Sequence, residues 1–256
     1  MRVTVLVPDD GAIGRLAAYA KKALAEAGHE VVLMAHPPET LSGTFRSRWR
    51  RVGFVRAFDE AAYCIFEGQL TPWPEALERM GIDSPSDFDV RIQDTRTNEL
   101  GCRLQALSSE ILVAMGCTPI NIRALPKTML ALNVHPGVLP RYRGVGNPEA
   151  MVRGGDSVHF GYTVHRLTEQ LDEGEILLRK RCQLPLNFNA PRVYLSSYCA
   201  ALEYLARRLG DAFIKSWPVE DDFTDIVMPE GSPLWRMTLT EVCSMKIKSI
   251  VKDFVT

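Results

Sequence analysis

The chain has 256 residues, a formal net charge of −1 and 46% hydrophobic residues. That length buries a sizeable core without disulfides or a structural metal, and suits one large α/β domain or a core domain with an extension. The near-neutral charge excludes a general nucleic-acid surface, which needs excess cations to displace counterions, and no apolar run nears the about 20 residues of a membrane span.

Six cysteines, Cys64, Cys102, Cys117, Cys182, Cys199 and Cys243, are scattered with no C-x-x-C pair. Such spacing signals neither a zinc site nor a redox dithiol. It suits reduced, mostly buried thiols in a cytoplasmic protein. The start, MRVTVLVPDD, turns acidic directly after its apolar residues. It therefore reads as a strand and not as a secretory signal.

In chain order, residues 2–7 are mostly β-branched and predict a buried strand. A helix follows over 13–27, with Ile13, Leu16, Ala17, Ala20 and Leu24 on one stripe and Gly28 as its stop. A second strand over 29–35 completes a βαβ unit with a parallel pair. The turn between them, PDDGAIG, lacks the G-x-G-x-x-G spacing, and its two acids repel a pyrophosphate, so a dinucleotide site is not expected there. A substrate contact from Asp10 and Gly11 fits that turn better.

Residues 37–100 are less regular and read as an insertion. Within them, Arg46, Arg48, Arg50, Arg51 and Arg56 interleave with Trp49, Phe54 and Phe58. An amphipathic helix with a solvated basic face explains this pattern; so does an arginine clamp for an anionic acceptor, with Arg48 and Arg51 as its candidate contacts. Strand patterns return at 110–116, 129–135, 159–167 and 175–184, with a short helix start at 148–152. Strands and helices thus alternate through residue 185, as in an α/β domain. A long helix is predicted over 191–215, striped by Val193, Leu195, Cys199, Leu202, Leu205, Leu209 and Phe213, and a last helix over 239–254. The chain is read as a domain over 1–185 with a helical extension over 186–256 packed on it.

The most informative stretch is ALNVHPGVLPRYRG, 131–144. Asn133 and His135 sit two apart on a strand and so share a face. Pro136 cannot join a sheet ladder, which places both near the strand's end. A polar pair at the carboxyl end of a buried strand is where open α/β sheets bind ligands. A strand-end Asn and His satisfying loop hydrogen bonds would look the same.

The pattern N-x-H-P-x-x-L-P-x-x-x-G, followed by L-D-x-G about 35 residues on, resembles the folate-dependent formyltransferases. The segments ILVAMG and TVHRLTEQLDEGEIL add to it. The family includes glycinamide ribonucleotide formyltransferase and the catalytic domain of methionyl-tRNA formyltransferase. The resemblance implies a Rossmann-like, mainly parallel twisted sheet with helices on both faces. It implies Asn133, His135 and Asp172 as the catalytic set, N10-formyltetrahydrofolate as donor, a primary amine as acceptor and no metal. The donor's pterin is then expected against Met115, Gly116, Cys117, Thr118, Pro119, Ile120 and Asn121, and against Leu167, Thr168, Glu169, Gln170 and Leu171. The chemistry suits these residue types. Asn133 and His135 would donate to the formyl oxygen as charge develops on it. Asp172 would take the amine's proton and hold His135 in its charged form. His165 falls where the family often has a histidine.

Departures shape the acceptor. Gly137 stands where a serine is common after His-Pro, the amino-terminal turn matches no clear phosphate loop, and 186–256 lacks the strand-rich pattern of a tRNA enzyme's second domain. The expected acceptor is a small-molecule amine, first a nucleotide-linked amino sugar, with glycinamide ribonucleotide and initiator tRNA behind it. A formyltetrahydrofolate hydrolase and a non-catalytic folate-binding module are the other classes. The usual mark of the hydrolase, an added regulatory domain ahead of the catalytic one, is not seen. A homo-oligomer is left open.

Overall fold

The computed structural model describes residues 1–9, 11–38, 54–55, 58, 77–78, 82, 87–117, 119–144, 151, 156, 158–183, 190–212, 219–224 and 234–235. Its centre is a sheet of parallel strands whose runs are apolar because both faces are covered. These are β1 (Arg2–Pro8), β2 (Glu30–His36), β3 (Val90–Arg91), β4 (Ile111–Met115) and β5 (Leu130–His135). Beyond β5 come β7 (Gly161–Arg166), β8 (Ile176–Arg181) and β9 (Glu220–Asp221). The order across the sheet is β3-β2-β1-β4-β5-β7-β8-β9. Only β7 runs against its neighbours β5 and β8. A separate pair joins β6 (Arg143–Gly144) to β10 (Leu234–Trp235).

Helix α1 (Gly11–Glu26) turns Leu16, Ala17, Ala20 and Leu24 onto the sheet. It ends at Gly28, whose φ of 85° lets its amide reach back to Ala25 O. Helix α3 (Ala190–Ala212) packs on the same face, with Leu195, Tyr198, Leu202, Leu205 and Leu209 buried in one cluster with Val3, Val5, Val113, Leu132 and Val134. Helix α2 (Glu99–Ala106) covers the other face, where Leu100 and Leu104 meet Leu6, Met34 and Leu112. None of the helices among the described residues is long and apolar enough to cross a membrane.

The Rossmann-like architecture is as expected, with helices on both faces. Two details differ. The last dozen residues of the supposed 37–100 insertion belong to the core, where β3 and the start of α2 bury Ile92 and Leu100; two-residue strands and two-turn helices are too short to show a period. After α3 the described residues add short strands, β9 at the sheet edge and β10 beside β6, between the predicted helices of an extension read as helical. The predicted helix over 239–254, all of the basic 46–56 stretch but Phe54 and Val55, and all of the 148–152 start but Met151 lie outside the described residues.

Candidate active site

Asn133 and His135 alternate with Leu132 and Val134 along β5. The apolar pair faces α1 and α3, and the polar pair the opposite side. There the register places His165 of β7 directly across from Asn133 and Thr163 across from His135. A register irregularity between Val164 and His165 marks the strand at this point. Thr163 ties down the turn after β5, accepting from Leu139 N at 3.0 Å and donating to Gly137 O at 2.8 Å.

Asp172 reaches this group from the loop between β7 and β8. Its φ of 56° is left-handed, a conformation that aspartate tolerates better than most residues. Its Oδ2 accepts from Gly144 N at 2.7 Å. Its Oδ1 lies 3.6 Å from His135 Nδ1 and 3.7 Å from His165 Nε2. Arg143 steadies the same loop by donating to Leu171 O at 2.8 Å and to the Glu173 carboxylate. Strand β6 therefore grips Asp172 from both sides, and β10 pairs with β6.

Two carbonyls fix the imidazoles. His135 Nε2 lies 2.6 Å from Tyr142 O, and His165 Nδ1 lies 2.9 Å from Arg166 O. A carbonyl only accepts, so each of these nitrogens carries a hydrogen. In a neutral His165 ring, Nε2 is then an acceptor, and it meets Asn133 Nδ2 at 3.0 Å. One Asn133 amide hydrogen is used there, and the second is left for an oxygen on the open side of β5.

His135, His165 and Asp172 are all buried. Burial by itself pushes the Asp172 carboxyl up; the two imidazoles and the Gly144 N–H more than offset it and hold it at about 2. His135 moves the other way from expectation. Burial pushes it below its ordinary value and outweighs the upward pull of Asp172, so the carboxylate does not keep this ring charged at neutral pH. The expectation that His135 donates to the formyl oxygen is corrected as well, because its Nε2 hydrogen goes to Tyr142.

The two segments expected to line a pterin lie side by side. Arg123, just after the first, holds Glu169 of the second at 2.6 and 3.0 Å. Cys117, Ile120 and Leu167 pack together on the α2 face. Gly116 has a φ of 59°, and a Cβ there would lie 2.2 Å from Ile13 Cδ1, so only glycine lets the chain turn here. Met115 is fully buried in the core, where its side chain supports the loop and does not line it. Burial pushes the Cys117 thiol up to about 12, and its Sγ donates to Leu6 O. Thr95 anchors the loop through Pro119 O and the Asn121 amide. Thr168 turns onto Gln170 O, and Leu171 is exposed. Thr118, Asp10, Arg48 and Arg51 lie outside the described residues; Gly11 opens α1.

Sequence reasoning missed the Tyr142 carbonyl, the Gly144 amide, Arg123 and Arg143, which act through backbone atoms or across loops. For Tyr142, Arg143 and Gly144 the one signal was the fixed spacing of L-P-x-x-x-G; Arg123 had none.

A family model for formyl transferases matches residues 1–194. The chain belongs to the formyl transferase family. The chemistry of this family is formyl transfer from N10-formyltetrahydrofolate. The chain is similar to the methionyl-tRNA formyltransferase of Gluconobacter oxydans, with 30% identity over 164 residues, 62% of this chain and 44% of that protein. It is also similar to the phosphoribosylglycinamide formyltransferase of Haemophilus influenzae, with 32% identity over 84 residues, 32% of this chain and 39% of that protein. The matched stretch spans less than half the length of either relative. Among solved structures, a 4-N formyltransferase from Francisella tularensis shares the fold, with a TM-score of 0.50 at 14% identity over 94% of this chain and 85% of that one.

Proposed function

We propose that this formyltransferase moves the formyl group of N10-formyltetrahydrofolate to the primary amine of a small molecule, a nucleotide-linked amino sugar. The observation that carries the reaction is the set at the end of β5, where half-buried Asn133 meets buried His135, His165 and Asp172 in one place. The residues fit the donor: an apolar patch of Cys117, Ile120 and Leu167 suits a flat ring, and the Gly116 turn brings backbone close to it. N10-formyltetrahydrofolate, when bound, supplies the electrophilic carbon.

This chain's own residues then have distinct work. The second amide hydrogen of Asn133 would serve the formyl oxygen as negative charge develops on it; losing such a donor typically costs ~10²–10³ in rate. The attacking amine must shed a proton, and N10 of the departing tetrahydrofolate must gain one as the formyl C–N10 bond breaks. The His135–Asp172 pair takes the amine's proton, with the ionised carboxylate 3.6 Å away stabilising the imidazolium that forms. Tyr142 O and Gly144 N hold that pair in place beforehand. Asn133, His135 and Asp172 are therefore proposed as catalytic, and 116–121 and 167–171 as the donor's walls.

The acceptor reading rests on charge. Net charge of −1 is poor for tRNA. At the start of α1, Arg91 is paired with the Asp9 carboxylate, which takes that cation away from a lone phosphate. The arginines of 46–56 suit a diphosphate. The proposed setting is the cytoplasm.

The test is mass spectrometry of an acceptor panel incubated with the protein and N10-formyltetrahydrofolate. The panel holds nucleotide-linked amino sugars, glycinamide ribonucleotide and free amino acids. A formylated sugar nucleotide is expected. Formylated glycinamide ribonucleotide would replace the acceptor, and formate release with no formylated product would replace transfer by hydrolysis. With the acceptor known, Arg48→Ala and Arg51→Ala should raise its KM and leave donor affinity alone.

A further inference from the structure

We propose that Asp156 is a positioning residue that holds His135 in one tautomer through Tyr142. Its kinetic arm rests on the formyl-transfer reading; its spectroscopic arm does not.

The carbonyl that receives the His135 Nε2 hydrogen belongs to a turn whose amide, Tyr142 N, donates to Val138 O at 3.0 Å. The far end of the same residue is pinned. Tyr142 Oη donates to Asp156 Oδ2 at 2.6 Å, and Arg141 Nε donates to that oxygen at 2.8 Å. Asp156 Oδ1 accepts from His159 Nδ1 at 2.7 Å and from the His159 amide at 3.3 Å. Donors from Arg141, Tyr142 and His159 thus converge on one carboxylate. Burial alone would raise it; Tyr142, His159 and Arg141 more than offset this and keep it ionised, at about 2. The Tyr142 ring packs with Met151, Phe160 and Val193, and the His159 ring stacks on Phe223. None of these groups touches Asp172 or Asn133 by any hydrogen bond described above.

A neutral imidazole carries its hydrogen on either nitrogen, and its partner decides which. With Tyr142 O fixed at 2.6 Å, the hydrogen belongs on Nε2 and Nδ1 is turned to Asp172. If the Tyr142 turn shifts, that preference weakens, and the His135–Asp172 pair is presented wrongly for part of the time. Small misplacements of this kind cost up to about 10²-fold in rate.

The experiment combines ¹⁵N NMR of histidine-labelled protein with kinetics, using Tyr142→Phe and Asp156→Asn. The His135 signals are assigned by their loss in His135→Ala. Tyr142→Phe keeps the buried ring and loses only the hydroxyl. Asp156→Asn turns an amide NH₂ toward donors on one side of the cluster. In both, the His135 ¹⁵N shifts should move from the Nε2–H pattern to a mixture of tautomers. In both, kcat should fall about tenfold with both KM values within about twofold. An unchanged His135 tautomer in Tyr142→Phe overturns the proposal, even if kcat falls, because the role is then only structural. If Asp156→Asn fails to fold, Tyr142→Phe decides alone. If the wild type transfers no formyl group, the proposed function fails by itself and the tautomer still decides this inference.

Discussion

The two faces of β5 meet different surroundings. On one, Leu132 and Val134 are buried with α1 and α3, whose apolar stripes cover the strand. On the other, α2 packs around Leu6, Met34 and Leu112, and among the described residues the polar end of β5 is met by loops. There Asn133, His135 and His165 lie at the sheet's surface beneath 137–144 and 167–174. Each buried polar group of such a cluster needs a partner. Loops supply those partners as backbone atoms: Tyr142 O, Arg166 O and Gly144 N. One face is thus read out as stability and the other as rate.

The largest effects should come from the polar face. His135→Ala and Asp172→Asn are each expected to lower formyl transfer by about 10²–10⁴-fold. Their melting temperatures should fall less than that of a core truncation. Steady-state kinetics with thermal melts checks this, and either variant keeping more than a tenth of the activity would remove that residue from the mechanism.

Leu132→Ala tests the dry face one position away. Deleting a fully buried leucine side chain costs about 2–5 kcal/mol, or roughly 5–15 °C in Tm for a chain of this size. The kcat at 25 °C should stay within about threefold. A large loss of kcat with an unchanged Tm would show that the two faces are not separable.

Acid should distinguish the two faces as well. The folded His135 lies below its ordinary value, so the unfolded chain binds more protons. That stability is present above the ordinary histidine value of 6.5 and is lost as pH falls below it. Asp172, held at about 2 against an ordinary 3.8, contributes on the order of 2 kcal/mol above pH 4, lost as pH falls toward 2. Denaturant titrations from pH 7 to pH 3 should show a shallower decline in His135→Gln than in wild type, and an unchanged decline in Leu132→Ala. Identical slopes in wild type and His135→Gln would mean that His135 is not shifted downward.

The dry face and most of the sheet were legible in the sequence. The mostly apolar runs at 2–7 and 111–115 read as strands covered on both sides, and 130–132 opens another. The Asn133 and His135 spacing was legible too, because alternation alone puts both on one face. What was hidden was set by tertiary pairing. The tautomer of His135 depends on where Tyr142 O ends up, and nothing in the identity of a tyrosine encodes its carbonyl. The downward shift of His135 depends on burial by loops whose course no periodicity predicts. β3, β6, β9 and β10 are two residues each and become strands only because a neighbour is there to pair with.

The smallest expected effect lies at the rim of the polar face, in the exposed Arg123–Glu169 pair. Water and salt screen such a pair, so Arg123→Ala should leave the melting temperature unchanged within error. The pair nonetheless spans the two segments proposed as the donor's walls, and it sets their spacing. Loss of the pair should therefore raise the KM for N10-formyltetrahydrofolate a few-fold, leaving kcat and the acceptor KM alone. The charge-swapped double variant, Arg123→Glu with Glu169→Arg, should restore it, because spacing and not the sign of either charge is what the loops need. A donor KM that rises in the single variant and stays high in the swap would mean that Arg123 touches the donor itself. A donor KM that never moves would take 167–171 out of the donor site and leave its walls to 116–121.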